Sequence, residues 1–113
     1  MIKISVYYPN SPGSTFNHAY YADVHCPLVV KSLKPYGCHR VEIEKGVTEV
    51  DAAAALAGSL PEAPPTYVAI GHIVMDNATG FRKGMAEVGH VFVSDISNYT
   101  NITPHLQINE IVA

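Results

Sequence analysis

Hydrophobic and polar positions change period along this chain, and those changes divide it into elements. Over residues 2–8 the side chains alternate, Ile2, Ile4, Val6 and Tyr8 against Lys3, Ser5 and Tyr7, which predicts a strand. Pro9-Asn10-Ser11-Pro12-Gly13 ends it as a loop. After Thr15 or Asn17, either of which can cap a helix, the period becomes helical and runs to about Leu33, before Pro35-Tyr36-Gly37. Residues 38–47 alternate again, Arg40, Glu42 and Glu44 against Val41 and Ile43, and the charges suit an edge strand. Residues 49–66 break the pattern: five alanines within positions 52–57, then Gly58, then three prolines. This predicts a long loop with one short helical turn, acting as a lid or as an arm on a partner subunit. Residues 67–75 are apolar on both faces, as in a strand covered on both sides. Asp76 or Asn77 caps a second helix with the stripe Phe81, Met85, Val88, Phe92, flanked by Gly84 and Gly89. Residues 95–100 end that helix, and residues 106–112 form a last strand.

The order strand, helix, strand, strand, helix, strand in 113 residues predicts one domain, residues 1–113. The simplest closure is the α+β, ferredoxin-like βαββαβ arrangement, a four-stranded antiparallel sheet with both helices on one face. That leaves the second sheet face uncovered, although the third strand is apolar on both sides. A homodimer through the sheet face is the expected solution. Composition points the same way: 48% apolar and 15% charged residues leave more apolar surface than one small core consumes.

Charge and cysteine usage exclude several classes of function. A net charge of −3, with seven scattered Lys and Arg, supplies no basic stripe for nucleic acid. No apolar run approaches the roughly 20 residues of a membrane span, and nothing resembles a signal peptide. Cys26 and Cys38 form no CxxC pair and read as free buried thiols of a cytoplasmic protein. The sequons at Asn77, Asn98 and Asn101 read as chance matches.

The candidate chemistry centres on His25. At about 100° per residue, Tyr21, Val24, His25, Leu28 and Val29 share one face of the first helix, with His25 near its middle and Asp23 pointing elsewhere. Burying that stripe carries a titratable imidazole inward beside the phenol of Tyr21. Pro27 deprives Asp23 of its usual amide donor, so the helix should distort there. Burial favours neutral imidazole, competent as a base near neutral pH. An apolar cleft lined by Val24, Leu28, Phe81, Met85 and Phe92 would complete the site. His72 either shares the cleft or lies on the partner-facing side of its strand, and Tyr99 either closes the cleft mouth or terminates the second helix. No His-x-x-x-His pair, zinc cluster, P-loop or Gly-x-Gly-x-x-Gly is present, so neither a metal nor a nucleotide cofactor is expected. The volume of so short a chain argues against heme, although His25 could serve as an axial ligand.

Four segments, Tyr8-Pro9-Asn10, Tyr20-Tyr21-x-Asp23-x-His25-x-Pro27-Leu28, Tyr67-Val68-Ala69-Ile70-Gly71-His72 and Asp95-Ile96-x-Asn98-Tyr99-Thr100, resemble the EthD family. The chain has Ser97 where that family usually has proline. The resemblance implies a dimeric α+β barrel and places the family histidine at His25. It also implies a shortlist of chemistries among superfamily relatives: cofactor-free monooxygenases, muconolactone-type isomerases and heme-dependent proteins. The resulting expectation is a cofactor-independent enzyme acting on a small hydrophobic metabolite, with His25 and Tyr21 catalytic. The alternative is a non-catalytic dimeric protein that binds or hands over such a molecule, and a purely structural His25 would require the cleft to be filled.

Overall fold

A computed structural model describes all residues from Met1 to Ala113. Four strands, β1 (Ile2–Pro9), β2 (Cys38–Lys45), β3 (Tyr67–Met75) and β4 (His105–Glu110), form one antiparallel sheet in the order β2-β3-β1-β4. This is the α+β, ferredoxin-like arrangement that the element order predicts. The charged strand β2 lies at one edge, and β4 lies at the other.

The first helix is interrupted. Asn17 caps α1 (His18–Tyr20), its side chain accepting from the Tyr20 amide. A π-helical turn, Tyr21–His25, follows, and α2 (Cys26–Leu33) continues from it. The interruption is the distortion expected from Pro27. With no proline N–H to close an ordinary turn on Asp23, the chain widens, and the Cys26 amide bonds instead to the Tyr21 carbonyl five residues back. Asn77 caps α4 (Ala78–Val93), as α3 (Ala52–Leu56) is the single short helix of the 49–66 segment.

Ile4, Leu33, Ile73, Met75, Phe81 and Phe92 belong to one core cluster between the sheet and the helices. Gly84 lets α4 close on α2, because a side chain there would overlap Leu33 and Tyr36. Gly89 plays no such part, since its nearest neighbours belong to Met85 of its own helix. The principal extents are 47 × 35 × 19 Å and the radius of gyration is 15.6 Å, larger than the roughly 13 Å usual for this length. Part of the apolar surface in the segment after β2 stays exposed, Val47 by 81%, Leu56 by 90% and Leu60 by 71%.

Candidate active site

Between the sheet and the helices lies a cavity of about 80 Å³, and thirteen of its sixteen lining residues are hydrophobic. Val6 and Ile73 form its sheet side, Val29 belongs to α2, and Phe81, Met85 and Phe92 come from α4. His25 and Tyr21 both reach this wall from the π turn, each 4% exposed.

The π turn changes which residues point inward. Its wider loop advances each residue by less than an α-helix does, so the buried face runs Tyr21, His25, Cys26, Val29, Leu33. Val24 therefore does not line the cleft as straight helical phase predicts; it is 45% exposed. Leu28 is also displaced from the wall and packs at the margin of the main core cluster.

His25 has a carboxylate partner that its local sequence does not reveal. Asp95 Oδ2 lies 3.0 Å from His25 Nδ1, across 70 positions of sequence. Asp95 follows the end of α4, and a short 3₁₀ turn, Ile96–Asn98, leads away from it. The chain beyond that turn is tied to the start of the first helix: the Asn17 amide donates to the Tyr99 carbonyl at 2.7 Å, and Phe16 bridges Thr100. This strap holds Asp95 against the π turn. The other oxygen, Oδ1, accepts from the Tyr20 hydroxyl at 2.6 Å and from Asn98 Nδ2 at 2.9 Å.

These contacts fix the protonation pattern. Burial pushes the Asp95 carboxyl up, but hydrogen bonds from Tyr20, Asn98 and His25 outweigh it and hold the group below the ordinary carboxylate value. Asp95 is thus an anion at neutral pH and can only accept, so Nδ1 of His25 carries the proton. Burial lowers the imidazole below its ordinary value, against the opposing pull of Asp95, and the ring is therefore neutral near pH 7. Nε2 is then the unprotonated nitrogen, left for whatever occupies the cavity that the ring lines.

Aromatic rings enclose the dyad. Tyr99 is 3% exposed, its ring centroid 4.6 Å from that of His25, and its hydroxyl lies 2.7 Å from that of Tyr8. It is therefore a buried wall of the dyad rather than a gate at a cleft mouth. Tyr21 packs edge-on to Tyr8, with centroids 5.5 Å apart. Its hydroxyl occupies the space above Gly71, where any Cβ would overlap it. Cys26 lines the cavity too, but burial pushes its thiol up to about 12 and leaves it unreactive.

His72 is separated from this site by the sheet. Ile4, Ile73 and Met75 face the core cluster, so the alternate residues Ser5, His72 and Val74 face the other way. There His72 Nδ1 lies 2.9 Å from Ser5 Oγ, and Nε2 lies 2.7 Å from Glu44 Oε1. It therefore belongs to the outer face, not the cavity. The segment 49–66 contributes no residue to the cavity wall. No three His, Cys, Asp or Glu side chains converge as a metal site would require.

Fold and site together define a small α+β protein whose apolar cavity is flanked by a buried histidine–carboxylate pair. Comparison with solved structures narrows that class. The chain is 38% identical to an EthD-like protein from Ralstonia eutropha JMP134, over 99% of this chain and 92% of that one, with a TM-score of 0.84. It therefore belongs to the EthD-like family. An EthD family protein from Bacillus halodurans C-125 shares the fold at 14% identity and a TM-score of 0.69, over 99% of both chains. HapK from Hahella chejuensis shares it at 13% identity and a TM-score of 0.57, over 100% of this chain and 94% of that one. No protein-family profile matches the chain, and no curated protein matches it. No helix is long and apolar enough to cross a membrane.

Proposed function

We propose that this protein is a cofactor-independent enzyme that moves a proton on a small hydrophobic molecule held between sheet and helices, with His25 as the acid–base group. The observation that carries this reading is the polarised imidazole: Nδ1 is held by the Asp95 carboxylate, while Nε2 is left basic beside an apolar cavity. A base so placed can remove a proton from a bound molecule and return it elsewhere, the opening step of isomerase-, lyase- and monooxygenase-type chemistry alike. Asp95 acts as a positioning residue, holding the tautomer and steadying the imidazolium that forms. Native mass spectrometry of the purified protein identifies a co-purified ligand, and turnover of that ligand should be lost in His25→Ala while the fold is kept. Full activity in that variant would overturn the assignment.

A second reading, non-catalytic binding and hand-over of the same kind of molecule, draws on the apolar wall, which would hold such a molecule without any proton transfer. A ligand that co-purifies unchanged and is never turned over would favour it. We further propose that the protein forms a homodimer through the outer sheet face, where the half-buried Tyr7 and Ile70 stand among polar residues. The exposed Leu56 and Leu60 suit an arm that a partner subunit covers.

A further inference from the structure

Two tyrosines stand with His25 in the cavity wall, and proton transfer by the imidazole alone assigns a role to neither. Tyr8 comes from β1 and Tyr21 from the π turn, and both line the cavity. Behind Tyr8 stands Tyr99, and the two hydroxyls are 2.7 Å apart in a buried pair. When Tyr99 donates to Tyr8, the proton of Tyr8 is released for another acceptor. The hydroxyl of Tyr21 lies beside those of Tyr8 and the thiol of Cys26. Burial raises the pKa of all three phenols, so they remain neutral donors.

Gly71 supports a deliberate placement. A glycine in the middle of a strand weakens it, and here the missing side chain leaves room for the Tyr21 hydroxyl. The cavity wall contains no Lys, Arg, Asp or Glu. Its polar groups are the imidazole, the two phenols and one protonated thiol. Such a wall can satisfy one neutral acceptor, but it cannot neutralise a buried carboxylate or phosphate.

We propose that the cavity takes an uncharged carbonyl compound, its oxygen held by the hydroxyls of Tyr21 and Tyr8 and its adjacent C–H presented to Nε2 of His25. This rests on the acid–base role proposed above for His25. In the step, the C–H bond breaks and its proton passes to Nε2. The electron pair moves into a new C=C bond, and the carbonyl π pair moves onto oxygen, giving an enolate that the phenols stabilise. Return of the proton to the same or a conjugated carbon regenerates neutral imidazole, so the step requires no oxidant or reductant. Tyr8 and Tyr21 are oxygen-holding groups in this scheme, and Tyr99 is a positioning residue behind Tyr8.

The test uses three small probes titrated by NMR against the intact protein: cyclopentanone, its oxygen-free counterpart methylenecyclopentane, and the anion cyclobutanecarboxylate. Cyclopentanone should bind about tenfold more tightly than either of the others, since only it satisfies the phenols without burying a charge. Tyr21→Phe should reduce cyclopentanone to the level of methylenecyclopentane and leave the hydrocarbon unchanged; Tyr8→Phe, a second variant, should do the same in part. The carbonyl assignment is overturned if the ketone binds no better than the hydrocarbon, a shared failure to bind included. It is equally overturned if the anion binds as well or if Tyr21→Phe leaves the preference intact. Exchange of the ketone's α-protons in D₂O is read separately. Selective binding without any exchange that His25→Ala removes would refute the base while leaving the carbonyl site standing.

Discussion

His25 and His72 are both histidines within hydrogen-bonding distance of a carboxylate, yet their surroundings give them different capacities. His72 has both ring nitrogens engaged, one by Ser5 and one by Glu44, and the Glu44 side chain is 62% exposed. His25 has one nitrogen engaged, by a carboxylate whose side chain is 11% exposed, and its ring borders a cavity. A histidine with both nitrogens occupied is part of the structure of a sheet face. A histidine with one nitrogen fixed and the other free is a directed base. The number of carboxylate contacts does not separate the two; the free valence and the space beside it do.

The comparison is broken most sharply by removing each imidazole in turn. His25→Ala should lower kcat on the co-purified ligand by roughly 10²–10⁴-fold, whereas His72→Ala should leave kcat unchanged. The next effect in size concerns space. Gly71→Ala drives a methyl group into the Tyr21 hydroxyl and should cost about 1–3 kcal/mol in urea unfolding. Pairing it with Tyr21→Phe should recover much of that loss, as a double-mutant cycle would register. On the outer face, His72→Ala removes hydrogen bonds in a partly wet setting and should cost about 0.5–1.5 kcal/mol in the same assay.

The pH dependence of stability gives a finer contrast. Burial lowers the folded-state pKa of His25 below its ordinary 6.5, Asp95 opposing. As pH falls, the unfolded chain therefore takes up this proton first. The stability contributed by His25 is complete above pH 6.5 and declines as pH falls through that value toward the lower folded pKa. Asp95 acts in the same direction at more acid pH. Its folded pKa lies below 3.8, so its contribution is present above that value and is lost as pH falls through the folded pKa. Urea midpoints measured against pH should show the decline just below 6.5 in the wild type, and His25→Gln should flatten it.

Much of this site is legible in local sequence, and the rest depends on chain closure. Alternation and helical period reveal the strands and the inward direction of Tyr21 and His25, and they narrow each helix cap to two residues, of which Asn17 and Asn77 are the ones used. Pro27 signals the distorted helix but not its form. Because the turn relaxes to a π-helix, the phase beyond Tyr21 shifts, and the expectation for Val24 fails while Cys26 turns inward. Pleat parity sets His72 apart from Ile73, yet only the packing of Ile73 against the helices shows which face each takes. The pairing of Asp95 with His25 is not legible in local sequence. The place of Asp95 after the second helix suggests the end of that helix, and it reaches His25 through backbone pairing of Phe16 and Asn17 with Thr100 and Tyr99. A signal was nonetheless present in the segment Asp95-Ile96-Ser97-Asn98-Tyr99, where an acid, an amide and a phenol cluster just beyond an apolar helix.

The central claim is that His25 is a neutral base at pH 7 with its proton on Nδ1 and Nε2 free. Long-range ¹H–¹⁵N NMR of the imidazole, followed from pH 8 to pH 4, reads both nitrogens directly. The account predicts the Nδ1–H tautomer, a titration midpoint below 6.5, and a shift at Nε2 when a cavity ligand is added. An Nε2–H tautomer at pH 7, or a midpoint above 6.5, would contradict it.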